Sequence, residues 1–142
     1  MSSLPTRKNI RLKHYDYSTN GYYFVTMCTH LHKSQISGIE NVIENIIKGL
    51  PLRFPGVSID YYVLMPSHVH IIIVLQESKV SLQEVVRTFK ALVTKNTGTR
   101  KLWQRGYYEH VIRNDRALYK IREYIQNNPL ADILKFNQFY EG

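Results

Sequence analysis

The stretch from Val57 to Leu75 constrains the fold more than any other. Two apolar runs rich in β-branched and aromatic residues, Val57 to Met65 and His68 to Leu75, are separated only by Pro66 and Ser67. That pattern predicts two antiparallel strands joined by a tight turn. Strand side chains alternate between faces, so Val69, Ile71, Ile73 and Leu75 share one face, and this wholly aliphatic set suits a face packed on helices. His68 and His70 fall together on the other face, with Cα atoms about 6.7 Å apart.

Elements on either side complete a sheet with helices. Tyr22 to Thr29 follows the turn dipeptide Asn20-Gly21 and reads as a first strand. From Ile39, the residues Val42, Ile43, Ile46, Ile47 and Leu50 keep helical spacing, and Pro51 is expected to end that helix. Ser81 with Glu84 forms a capping box ahead of the stripe Leu82, Val85, Val86, Phe89, Leu92 and Val93, a second helix ending near Gly98. Tyr107 to Ile112 reads as a short strand. Asn114 then caps a third helix bearing Leu118, Ile121 and Ile125, whose end is expected at Pro129.

The order strand, helix, strand, strand, helix, strand, helix predicts an α+β fold. It is a ferredoxin-like antiparallel sheet with two helices on one face, leaving the other face for the third helix or a ligand. At 142 residues the chain is the size of a single domain, expected over 1–142 with a basic N-terminal arm over 1–20.

Charge narrows the partner. The chain has 19 Lys plus Arg against 11 Asp plus Glu, a net charge of +8, which favours a polyanion through counterion release. No apolar run approaches the about 20 residues of a spanning helix, and the first residues lack a signal-peptide pattern, so a cytoplasmic protein without a membrane partner is expected. Cys28 is the sole cysteine and reads as a small buried hydrophobe.

Two candidate groups carry chemistry. His68 and His70, in phase on one strand, suit two ligands of one metal ion, or hydrogen-bonding residues at a strand end. His30 and His32 share their spacing but sit in a polar segment and read as surface residues. On the third helix, Tyr124 and Asn128 lie on a stripe with Ala117 and Ile121, while Tyr119, Arg122 and Gln126 fall on the outer face. Tyr124, one of 11 tyrosines, is thus either a core aromatic or a phenol turned toward a site, and Asn128 either a cap or a site carboxamide.

At these residues the chain resembles a known family. YYVLMPSHVHIIIVL (Tyr61 to Leu75) resembles the histidine, hydrophobic, histidine motif of HUH-type tyrosine transposases. LWQRGYYEHVIRNDRALYKIREYIQNNPL (Leu102 to Leu130) resembles the tyrosine-helix region of their REP-associated branch, and RKNIRLKHYDYSTNGYYFVTMCTH (Arg7 to His30) is similar to the opening of a subgroup. The resemblance spans nearly the whole chain, with residues 36–56 the least diagnostic. Relatives commonly carry Asn where this chain has Ser67, and a longer segment after the tyrosine helix than the stretch to Gly142.

The resemblance implies His68 and His70 as metal ligands, Asn128 as a third ligand, and Tyr124 as the single nucleophile. It further implies Mg²⁺ or Mn²⁺ as cofactor and nicking and rejoining of single-stranded DNA with hairpin or palindromic elements, by a monomer or homodimer. Basic candidates for DNA contacts are Arg7, Lys8, Arg11 and Lys13 on the arm, Arg87, Lys90 and Lys95 on the second helix, and Arg100, Lys101 and Arg105 before the last strand. Trp103, Tyr107 and Tyr108 interleave with the last group and suit either base stacking or core packing. Two rival readings are a non-catalytic ferredoxin-like module that binds single-stranded nucleic acid, and a metal phosphoesterase that uses water as nucleophile.

Overall fold

The computed structural model describes residues 20–127. Arg7, Lys8, Arg11, Lys13, Asn128 and Pro129 lie outside that range. Strand β1 (Gly21–Cys28) is followed by helix α1 (Glu40–Arg53), the hairpin of β2 (Val57–Met65) and β3 (His68–Leu75), helix α2 (Leu82–Thr97), strand β4 (Tyr108–Ile112) and helix α3 (Asp115–Asn127). The strands form one antiparallel sheet in the order β2-β3-β1-β4. This is the expected ferredoxin-like arrangement, with β3 and β1 at its centre.

Side-chain parity sorts the sheet into two apolar layers. Tyr23, Val25 and Met27 of β1 join Val69, Ile71, Ile73 and Leu75 of β3 against Ile43, Ile47 and Leu50 of α1 and Val85, Val86, Phe89 and Val93 of α2. Each such aliphatic side chain contributes about 1.5–3 kcal/mol when fully buried, so this layer dominates stability. The opposite layer is smaller: Phe24, Ile72 and Ile112 meet Leu118, Ile121 and Ile125 of α3. The third helix therefore occupies the face that carries the histidines.

Local signals explain most boundaries. The Ser81 side chain accepts from the Glu84 amide at 3.2 Å, and Gly98 closes α2 in the left-handed region at φ 68°, its amide donating to Thr94. Asn114 accepts from the Ala117 amide at 2.8 Å and starts α3. Pro51 departs from expectation, lying inside α1, which runs on to Arg53. Its fixed φ suits a helix, and two residues before the end it leaves the Ile47 carbonyl without an amide donor from position 51. At the corner between α1 and β2, Gly56 has φ +90° and a Cβ there would meet the Gln76 carbonyl oxygen at 2.6 Å, which restricts the position to glycine.

One irregularity positions the third helix. Ile59 pairs with Ile73 and Tyr61 with Ile72, so Asp60 is an extra residue in β2. Before this bulge the odd residues Val57 and Ile59 face α1 and α2; after it the even residues Tyr62 and Leu64 do. Tyr61 and Val63 move to the α3 side. Asp60 accepts from Arg122 Nε at 2.8 Å and from Arg122 Nη2 in a bidentate pair. Arg122, expected on the outer face of α3, instead clamps that helix to the sheet edge. Tyr119 stays outside, 69% exposed.

Candidate active site

His68 and His70 begin the central strand β3, immediately after the Pro66-Ser67 turn. The turn is fixed by the segment that leaves β1: the Thr29 amide donates to the Ser67 carbonyl at 2.9 Å, and the Ile36 amide to the Pro66 carbonyl at 3.0 Å. Thr29 also donates its hydroxyl to Ser67 at 3.1 Å. Held in this way, the two imidazoles lie edge to face with ring centroids 4.7 Å apart.

Each ring has an oriented Nδ1. His70 Nδ1 is hydrogen-bonded to Thr26 Oγ1 of β1 at 2.8 Å, and the ring packs near Phe24. Ser67 Oγ lies 3.1 Å from His68 Nδ1. In the tautomer that donates from Nδ1, the lone pair of each ring sits on Nε2. Burial and the neighbouring His68 push the His70 imidazole down to about 3. Burial, then the nearby charge of His32, lowers His68. Both rings are therefore neutral at physiological pH, the form that binds metal.

This donor set fits a divalent cation at two positions, with threonine and serine as the partners that orient ligating imidazoles. Among the described residues no group of three His, Cys, Asp and Glu side chains could hold a metal ion, so a complete site needs further donors, from outside that range or from substrate.

Tyr124 lies on the same side of the sheet. It packs on the small layer of Phe24, Ile72 and Ile125, and its phenol oxygen is buried. The structure thus brings the histidine face and the tyrosine helix together, as spacing and helix phase predict.

The DNA-contact candidates divide. Arg87 is exposed and pairs with Glu84, and Lys95, Arg100, Lys101 and Arg105 are exposed. Lys90 is different: its ammonium donates to the Gln104 carbonyl at 3.1 Å and to that of Gly106, and burial lowers it to about 8. It ties a loop to α2 rather than facing solvent. Trp103 takes the packing alternative, its ring against Phe89 at 5.9 Å and its indole donating to the Lys90 carbonyl at 3.3 Å.

Sequence reasoning missed Thr26, since a threonine inside a strand carries no signal of its own. His32 is exposed, in keeping with its reading as a surface residue; it and Leu31 adopt left-handed φ values of 54° and 56°, in a segment that runs beside the turn of the histidine hairpin.

Residues 17–128 match the family described as "Transposase IS200 like". The chain belongs to this family of transposases. An uncharacterised protein of Haemophilus influenzae is 35% identical, over 87% of this chain and 88% of its own. The REP-associated tyrosine transposase of Escherichia coli K12 is 26% identical, over 80% of this chain and 69% of its own length. Among solved structures, a REP-associated tyrosine transposase bound to a REP hairpin superposes with a TM-score of 0.72 at 22% identity, over 85% of this chain and 73% of that one. The family match identifies an enzyme acting on DNA; the structural likeness shows a shared fold.

Proposed function

We propose that this transposase nicks and rejoins single-stranded DNA through a covalent 5′-phosphotyrosine at Tyr124. The observation that carries the reading is the placement of two neutral, oriented imidazoles and one buried phenol on the same sheet face. The substrate is single-stranded DNA with a hairpin, a reading supported by the REP hairpin on the structural neighbour and by the net charge of +8.

A neutral phenol, with an ordinary pKa of about 10, attacks phosphorus poorly, so the site must stabilise charge on the phosphate and the departing oxygen. His68, His70 and Asn128 would hold Mg²⁺ or Mn²⁺, which when bound would supply Lewis acidity to the scissile phosphate. The remaining work falls to the chain. Thr26 and Ser67 hold the imidazoles; the Asp60–Arg122 clamp and the apolar layer under α3 hold Tyr124 for in-line attack. The Tyr124 oxygen bonds to phosphorus, the bond to the 3′ oxygen breaks, and the phenolic proton ends on the new 3′ hydroxyl. A 3′ hydroxyl attacking the phosphotyrosine reverses these changes and joins ends without ATP, because one ester linkage replaces another.

The test is a labelled single-stranded hairpin incubated with protein and Mn²⁺ and resolved on a denaturing gel. A protein–DNA adduct is expected, absent in Tyr124→Phe and lost with cleavage in His68→Ala while DNA binding persists. Cleavage without adduct that survives Tyr124→Phe would assign water as the nucleophile. Binding with neither adduct nor cleavage would leave a non-catalytic module.

A further inference from the structure

The described residues hold a second feature beside the histidines. A pocket of about 240 Å³ opens between the end of β1 and the start of β4, lined by Cys28, Gln104, Arg105, Gly106, Tyr107 and Tyr108. The register places it beside the imidazoles. Cys28 is the cross-strand partner of His68, and Tyr108 is the partner of Thr26, the residue that holds His70. Adjacent strands lie about 4.8 Å apart, so the pocket begins one strand from the pair.

Its rim is prefixed rather than loose. The Gln104 amide donates to the Cys28 carbonyl at 2.8 Å. Lys90 reaches under the loop to the Gln104 and Gly106 carbonyls, and Lys90 is itself packed beneath Trp103 through its own carbonyl. Gly106 turns the chain at φ 78°, a conformation that keeps the rim free of a side chain. Burial holds the Cys28 thiol at about 11, so it is an inert, apolar wall.

The lining chemistry selects a ligand. Phenol rings and a neutral thiol suit a flat, largely apolar ring; the exposed Arg105 at the mouth suits an anion; none of the lining residues is a carboxylate. The volume lies below the about 300 Å³ at which pockets for drug-sized molecules begin, which suits one ring system. We infer that this pocket receives a single unpaired nucleobase next to the scissile phosphate, stacked on Tyr108, with Arg105 on the adjoining phosphate. The inference rests on the proposed cleavage function, and it makes the pocket a determinant of which nucleotide flanks the nick.

The test reads binding apart from cleavage. In the Tyr124→Phe background, an abasic nucleotide is walked along the single strand of the hairpin and affinity is measured at each position. Loss of about tenfold is expected at one position, and in the wild-type protein that position should adjoin the mapped nick. Tyr108→Ala should abolish the discrimination, Tyr108→Phe should keep it, and Cys28→Leu, which fills the cavity, should weaken the intact strand while leaving the abasic strand unchanged. Equal affinity at every abasic position, or full discrimination in Tyr108→Ala, overturns the pocket assignment. An absent adduct on every strand, with discrimination intact, overturns the cleavage function and leaves the base pocket standing.

Discussion

Thr26 Oγ1 lies 2.8 Å from Nδ1 of His70, joining the two central strands on the face that holds the tyrosine helix. His70 is 5% exposed and Thr26 fully buried, so no solvent replaces this partner if it is removed. Thr26→Val should cost about 1–3 kcal/mol of stability and lower Mn²⁺ affinity about 10–100-fold, whereas Thr26→Ser retains both. Thermal unfolding and calorimetric Mn²⁺ titration measure the two effects.

The Asp60–Arg122 pair separates stability from activity. The Arg122 side chain is 38% exposed and that of Asp60 12%, so solvent screening holds the loss in Arg122→Ala to about 1 kcal/mol or less. The same change releases the helix that carries Tyr124, and displacement of about 1 Å can cost about 100-fold in rate. Adduct formation should therefore slow at least tenfold while the melting temperature barely moves. The exchange Asp60→Arg with Arg122→Asp should recover part of the rate.

Two groups of cations should respond differently to salt. Lys101→Ala and Arg105→Ala each remove an exposed charge, and each should reduce the slope of log affinity against log salt by about 0.7. Lys90→Met should leave that slope unchanged and lower stability instead, because its ammonium is committed to the carbonyls of Gln104 and Gly106. Binding isotherms at several salt concentrations distinguish them.

His110 supplies a pH signature. Burial, and secondarily Arg113, lowers it to about 4 from an ordinary 6.5, so the folded state favours the neutral ring and the unfolded chain takes up a proton first. The stability due to this group is complete above about pH 6.5 and is lost as pH falls toward 4. His110→Gln should flatten the decline of melting temperature over that interval. Unchanged steepness in the variant would remove His110 as a source.

Much of the architecture was legible because it follows from period and parity. The aliphatic set Val69, Ile71, Ile73 and Leu75 declares one face, His68 and His70 the other, and the stripe with Leu118, Ile121 and Ile125 turns Tyr124 inward. What escaped depends on contacts between distant segments. Lys90 looks like any helix-surface cation until the loop carbonyls are placed beneath it, and Trp103 acquires its packing role only when Phe89 is adjacent. Arg122 reads as outward-facing by helix phase; only the position of Asp60 across 62 residues of sequence gives it a partner.

That partner owes its position to a single surplus residue in an edge strand. Because Asp60 stands outside the pairing register, β2 keeps a continuous hairpin with β3 on both sides of it. The strand would still zip up with Asp60 deleted, but Ile59 would then adjoin Tyr61 in unbroken register and no carboxylate would meet Arg122. One extra residue thus functions as a handle: the sheet would fold without it, but Arg122 of the tyrosine helix would lose the carboxylate it grips.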